Sequence, residues 1–272
     1  VGKLSDEERE RIVGAVLEEN AGRTVVVGGA SAGEQKERLD KLRRMTELGC
    51  DGVLVAVGYE NESQYRQTVE ELAEALERLS PSAGGRPFLM IQDWDFTGYG
   101  APVELLARLF EEIPSFRSLK VEVVPAGVKY SEVLAATGGG LHVAGGWAVG
   151  QMIEGLDRGV HAFMPTGMHE IYCEIYRRYL AGNRNGAQEL FRELLPVLAF
   201  SNQHLDISIY FFKRLLHKQG VYPTMRVRAP VLTFDEVHRR TADELITLIE
   251  ELTASITVDP GSAPRAGTIP GE

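Results

Sequence analysis

Lys120 stands in Phe116-Arg117-Ser118-Leu119-Lys120-Val121-Glu122-Val123-Val124, a run with β-branched residues that reads as a strand. Alternate side chains of an extended segment face opposite sides, so Leu119, Val121 and Val123 share one face and Ser118, Lys120 and Glu122 the other. Where both faces are covered, the second face is an enclosed polar interior. Desolvation disfavours an ammonium ion, which makes an enclosed amine a usable nucleophile toward a carbonyl carbon. The chemistry this permits is Schiff-base formation. Taken alone, the segment is explained more simply as an antiparallel strand with a wet polar face, carrying Lys120 and Glu122 as ordinary surface charges. The surrounding elements shift that balance.

A capping box, Ser5-Asp6-Glu7-Glu8, opens a first helix whose apolar stripe includes Ile12, Ala15 and Val16. Strand and helix patterns then alternate: Thr24 to Val27 with Glu34 to Leu48, Gly52 to Val57 with Tyr65 to Leu79, and Pro87 to Gln92 with Pro102 to Glu112. The alternation continues through Ser118 to Val124 with Ser131 to Ala136, Leu141 to Ala144 with Ala148 to Leu156, and Val160 to Met164 with Met168 to Leu180. Six strand-helix units in series imply a parallel sheet with right-handed connections. No G-x-G-x-x-G follows the first strand and no phosphate-loop motif occurs. A (β/α)8 barrel is therefore favoured over a doubly wound sheet. Relative to a full barrel, a strand-helix-strand ahead of Ser5 is lacking in this chain.

After residue 182 the pattern is helical only, over Asn185 to Phe200, Asn202 to Gln219 and Phe234 to Leu252. The organisation expected is a barrel over 1–182, a C-terminal helical extension over 183–252, and a disordered Pro, Gly, Ser and Thr-rich tail over 253–272.

The 272 residues carry a net charge of -10 with no basic stripe, which argues against nucleic-acid binding. Two cysteines, Cys50 and Cys173, do not make a disulfide framework and lack metal-site spacing. No apolar run approaches the roughly 20 residues that span a bilayer, and no signal-peptide core opens the chain. A cytoplasmic protein with no membrane partner is the expectation. The six histidines include His142 alone on a strand, and His161 and His169 flanking the last one, with no H-x-H or H-E-x-x-H, so a metal-dependent mechanism is not expected.

Leu4-Ser5-Asp6-Glu7-Glu8-Arg9, Gly22 to Gly29, Leu48-Gly49-Cys50-Asp51-Gly52-Val53-Leu54-Val55, Thr97-Gly98, Leu119-Lys120 and Gly145 follow one another in an order and spacing that resemble the dihydrodipicolinate synthase and N-acetylneuraminate lyase superfamily. These are class I aldolases built on a (β/α)8 barrel with a helical extension. The resemblance implies that Lys120 is the Schiff-base lysine, that the substrate is a pyruvate-like 2-oxo acid, that no cofactor is needed, and that the protein is a homo-oligomer. The departures from the family pattern bear on mechanism. The proton-relay tyrosine, seven residues before Gly98, is replaced by Ile91, and Asp93 is the candidate substitute, since an enclosed carboxylate can titrate near working pH. Turn chemistry explains Gln92, Asp93 and Asp95 equally well. Tyr59 matches a tyrosine that crosses a dimer interface in the family. Ile91, Gly145 and Trp147 would line the substrate pocket, with Trp147 narrowing its mouth, although helix packing accounts for Trp147 slightly better. The family's carboxylate-binding loop would precede Val1, and a gap in the barrel would leave two strand edges unpaired.

The function expected is carbon-carbon bond formation or cleavage through a Lys120 iminium, with Glu122, Asp93 or Tyr59 managing protons. The competing expectation is a catalytically impaired barrel that serves as a ligand-binding or assembly subunit.

Overall fold

The computed structural model describes residues 3–79 and 87–256. In chain order the elements are α1 (Asp6–Asn20), β1 (Val27–Gly29), α2 (Gln35–Leu48), β2 (Gly52–Val57), α3 (Glu62–Arg78), β3 (Phe88–Asp95), α4 (Val103–Glu112), β4 (Phe116–Val123), α5 (Ala126–Ala136) and β5 (His142–Gly145). There follow a 3-10 turn (Trp147–Val149), α6 (Met152–Asp157), β6 (Ala162–Phe163), α7 (His169–Leu180), α8 (Arg184–Ser201), α9 (Leu205–Lys218) and α10 (Glu236–Ser255). The capping box is formed: Ser5 Oγ accepts from the Glu8 amide at 3.2 Å and Glu8 accepts from the Ser5 amide at 2.9 Å.

All five strand pairings are parallel, in the order β1-β2-β3-β4-β5-β6. The result is a curled sheet with flanking helices, a (β/α)8 barrel short of two strands, followed by extra helices. Several boundaries differ from the sequence pattern for local reasons. The Asn20 side chain accepts from the Thr24 amide (3.1 Å) and hydroxyl (2.7 Å), which holds Thr24 to the end of α1, and β1 begins at Val27. Helix α5 starts directly after Pro125, five residues ahead of Ser131, bringing Lys129 and Tyr130 into it. Helix α10 takes in Thr253 to Ser255; the remainder of the expected tail, from 257 on, lies outside the described residues.

The chain groups into two units. Residues 3–79, 87–146 and 154–163 form the first, which holds the sheet. One face of that sheet is the core: Val53, Val55, Leu89, Ile91, Leu119, Val121 and Val143 are all fully buried. Helices supply the other half of this layer through Leu42, Val69, Leu72, Leu106, Leu109 and Val133, also fully buried. Residues 147–153 and 164–256 form the second unit. Its core joins Leu194, Phe211, Leu215 and Ile249, with Tyr210 stacked on Phe234 at 4.7 Å.

Candidate active site

Sheet register decides which residues accompany Lys120. Partners across a parallel pair point to the same side, and β3 pairs with β4 as Met90 with Ser118, Gln92 with Lys120, and Trp94 with Glu122. Strand β5 adds His142 beside Ser118 and Ala144 beside Lys120. This face is the inner one of the curl, and the apolar residues between these positions face the helices.

On the inner face Lys120 Nζ lies 3.1 Å from Glu122 Oε1, with the two side chains 17% and 16% exposed. The Gln92 amide donates to the other oxygen of the same carboxylate, Oε2. Glu122 is thus held from two directions, with its lysine partner one pleat below it. Gly146 closes against it: a Cβ at that position would sit 1.8 Å from Glu122 Cγ. The Gly146 amide donates to the Val121 carbonyl at 3.0 Å, which fixes this close approach. Lys120 stands three residues from the carboxyl end of β4. That is the end at which barrel enzymes assemble their loops into a site.

Other sequence-derived candidates lie elsewhere, and register is the reason. Ile91 pairs with Leu119 and Asp93 with Val121, so both face the helices, not Lys120. Ile91 is a fully buried core residue there. Asp93 forms an enclosed ion pair with Lys129 of α5 and accepts from the Ala101 amide at 3.0 Å. Lys129 also donates to the carbonyls of Tyr99 (2.5 Å) and Ala101 (2.6 Å), which uses all three ammonium protons. Burial pushes the Asp93 carboxyl up and the Lys129 ammonium down from their ordinary values, with the ion pair opposing both shifts. Asp93 is in this way committed to joining the loop after β3 to α5. Tyr59 follows β2, two strands from β4, with its ring 5.9 Å from Tyr65 of α3.

Gly145 turns its open side outward, where a Cβ would meet the Phe163 ring at 2.6 Å and the Tyr130 hydroxyl at 3.3 Å. It is the next glycine, Gly146, that abuts Glu122. Burial raises the Tyr130 hydroxyl to about 12. Trp147 opens the 3-10 turn with φ of +33° and belongs to the second unit. Gln92 is the site residue that sequence pattern passed over as a turn former. Its signal is the pairing of β3 with β4, which places it level with Lys120.

His142 and His161 stack with centroids 4.9 Å apart, toward the amino end of the strands. His142 Nδ1 lies 3.3 Å from Ser118 Oγ, and His161 Nδ1 accepts from the Val143 amide at 3.0 Å. Among the described residues no three His, Cys, Asp or Glu side chains are grouped to hold a metal ion. None of the described helices is long and apolar enough to cross a membrane.

An incomplete (β/α)8 barrel with a lysine and a partnered carboxylate toward the carboxyl ends of its strands has the makings of a Schiff-base lyase. The chain belongs to the Dihydrodipicolinate synthetase family, whose sequence model matches residues 2–249. It is 26% identical over 257 residues to L-2-keto-3-deoxyarabonate dehydratase of Azospirillum brasilense, covering 92% of this chain and 79% of that protein. It is 27% identical over 196 residues to 4-hydroxy-tetrahydrodipicolinate synthase of Nitratidesulfovibrio vulgaris strain DP4, covering 71% of this chain and 65% of the synthase. Dihydrodipicolinate synthase from Rhodopseudomonas palustris superposes with a TM-score of 0.79 at 20% identity, over 91% of this chain and 82% of the other. The Thermotoga maritima enzyme gives 0.76 at 19% identity, over the same shares. These structures share the fold. Family membership carries with it the expectation of class I aldolase or lyase catalysis.

Proposed function

We propose that the protein is a Schiff-base lyase acting on a pyruvate-like 2-oxo acid. The observation that carries this is the contact of Lys120 Nζ with Glu122 at 3.1 Å on the half-buried inner face. In the neutral form Lys120 attacks the ketone carbon; the carbinolamine loses water, and the iminium left behind is an electron sink. For a 4-hydroxy-2-oxo acid, Glu122 takes the C4 hydroxyl proton, the C3–C4 bond breaks, and its electron pair moves into the iminium to give an enamine and a free aldehyde. Glu122 then returns the proton to C3, and water hydrolyses the imine to release the shorter 2-oxo acid. Run backwards, the same steps form the bond. Asp93 and Tyr59 have no step in this scheme; Glu122 serves as acid and base, with Gln92 orienting it.

A second outcome at the same iminium is supported by the dehydratase relative, whose named substrate is itself a 2-keto acid and whose alignment covers 92% of this chain. Proton loss from C3 gives the enamine, and the C4 hydroxyl departs as water in place of C3–C4 cleavage. The two outcomes differ in product, aldehyde or dehydrated acid, and share Lys120 and Glu122.

The test is intact-mass spectrometry after incubation with pyruvate and other 2-oxo acids in the presence of borohydride. A reduced adduct on the full chain that is absent from Lys120→Ala supports the lyase reading. Absence of any adduct on a folded sample overturns it in favour of a binding or assembly barrel without imine chemistry.

A further inference from the structure

Two aromatic rings stand immediately beyond the Lys120 and Glu122 pair. Trp94 is paired with Glu122 across β3 and β4, so its side chain shares the inner face one pleat above Gln92. Phe96 follows the end of β3, and its ring meets Trp94 edge to face with centroids 5.4 Å apart. Both rings are exposed, 44% and 55%, whereas the inward residues below them are half-buried or buried. Two residues of a strand rise about 7 Å, the length of the chain from a 2-oxo carbon to its fourth or fifth neighbour. A substrate joined to Lys120 and extending toward the carboxyl ends of the strands therefore brings its tail to these rings.

Charge around the rings selects among tails. Glu122 lies at the level of Trp94. Asp95 separates the two aromatics along the chain but pairs with Val123, so it lies with Asp93 on the helix side and leaves Glu122 as the carboxylate on the face of the rings. A tail carboxylate would meet the Glu122 carboxylate and two ring faces, whose quadrupoles also repel anions. An uncharged apolar tail meets ring surface.

Resting on the Schiff-base reading above, we infer that Trp94 and Phe96 are specificity-determining residues that select 2-oxo acids bearing an apolar, preferably aryl, tail beyond C4 over those bearing a second carboxylate. The face, with aromatic surface one pleat beyond the level of Gln92 and Lys120 and the Glu122 carboxylate at the same level as Trp94, requires no further group for this selection.

The experiment is borohydride trapping on the full chain, read by intact mass as the concentration of 2-oxo acid that labels half of the protein. Pyruvate, 2-oxo-4-phenylbutanoate and 2-oxoglutarate are compared on the unaltered chain, Trp94→Ala, Phe96→Leu and Phe96→Arg. On the unaltered chain half-labelling by 2-oxo-4-phenylbutanoate is expected at about a tenfold lower concentration than by pyruvate, the size of one or two aromatic contacts. Trp94→Ala and Phe96→Leu are expected to bring that ratio toward unity, and Phe96→Arg to improve 2-oxoglutarate relative to pyruvate. Failure of all three acids to label Lys120 on the folded chain overturns the Schiff-base reading and this inference with it. Labelling by pyruvate with no aryl preference, or with a preference that the three variants leave unchanged, overturns this inference alone. A change in sedimentation of the variants with the ratio unchanged assigns the rings to contact between copies and likewise overturns it.

Discussion

Asp93 and Lys129 close a fully buried ion pair on the helix side of the sheet, one residue along β3 from the Gln92 that faces Lys120. The pair fastens the loop after β3 to α5 through the Tyr99 and Ala101 carbonyls and the Ala101 amide. Removing either partner leaves a buried charge uncompensated, which costs about 3–5 kcal/mol, while removing both leaves an apolar gap at a smaller cost. Urea unfolding of Asp93→Asn, Lys129→Met and the double variant Asp93→Leu/Lys129→Met is expected to show two large losses and a partial recovery. Borohydride trapping at Lys120 should persist in every variant that folds. A folded Asp93→Asn protein that has lost trapping would show that Asp93 acts on the lysine after all.

Glu122 is expected to govern turnover more than imine formation. With Lys120 intact and Gln92 still in place, Glu122→Gln preserves the shape of the site and removes its proton acceptor. A general acid-base group contributes about 100-fold to 10,000-fold to rate. Once a substrate is found, kcat of Glu122→Gln should fall by that order while the borohydride adduct still forms. An unchanged kcat would assign proton transfer to another group.

Adjacent glycines should respond differently to the same added methyl. At Gly146 the new Cβ strikes Glu122 Cγ, near the root of a side chain that must be displaced for the residue to fit. At Gly145 it strikes the Phe163 ring on the helix side, an overpacking defect that typically costs about 1–3 kcal/mol. Gly146→Ala is accordingly expected to reduce turnover disproportionately, and Gly145→Ala to lower the urea midpoint with the kinetics of the folded fraction retained. Equal losses of both properties in both variants would remove the distinction between the two sides of the sheet.

How much of this was legible beforehand differs from strand to strand. In β4 the polar residues Ser118, Lys120 and Glu122 alternate with Leu119, Val121 and Val123, so the pleat is written in the sequence and Lys120 with Glu122 could be placed on one face. In β3 the run Leu89, Met90, Ile91 is apolar at consecutive positions and hides the parity. A register irregularity between Leu89 and Met90 then sets which residues meet Lys120. Counting back from Thr97-Gly98 leads to Ile91, but a count along the chain carries no information on facing, and Gln92 is the residue beside the lysine. The Asp93 partner was hidden for another reason: Lys129 is 36 residues away, in a turn of α5 that precedes the helix start suggested by Ser131. The capped helix at Ser5 needed only local signals and was readable.

The stacked histidines give the fold a pH dependence whose sign can be worked out. Burial lowers His142 below the ordinary imidazole value, with nearby His161 adding to the shift, and burial lowers His161 against the hydrogen bond from Val143. Below about pH 6.5 the unfolded chain takes up protons that the folded chain does not yet bind. Unfolding free energy therefore rises with pH across this window and is lost as pH falls from about 6.5 toward the lowered folded values. Carboxylates held low in the folded state, such as Glu174, which burial raises but the hydrogen bonds and charges of Arg177 and Arg178 together lower further, add a loss of the same sign at lower pH, below about 5. Urea midpoints taken between about pH 5 and 7 sample the window in which ordinary imidazoles titrate. In that range His161→Gln, which keeps an acceptor for the Val143 amide and removes one titrating ring, is expected to flatten the slope relative to the unaltered chain. His142→Asn should flatten it as well, and a slope identical in all three proteins would show that the stacked pair does not titrate with folding.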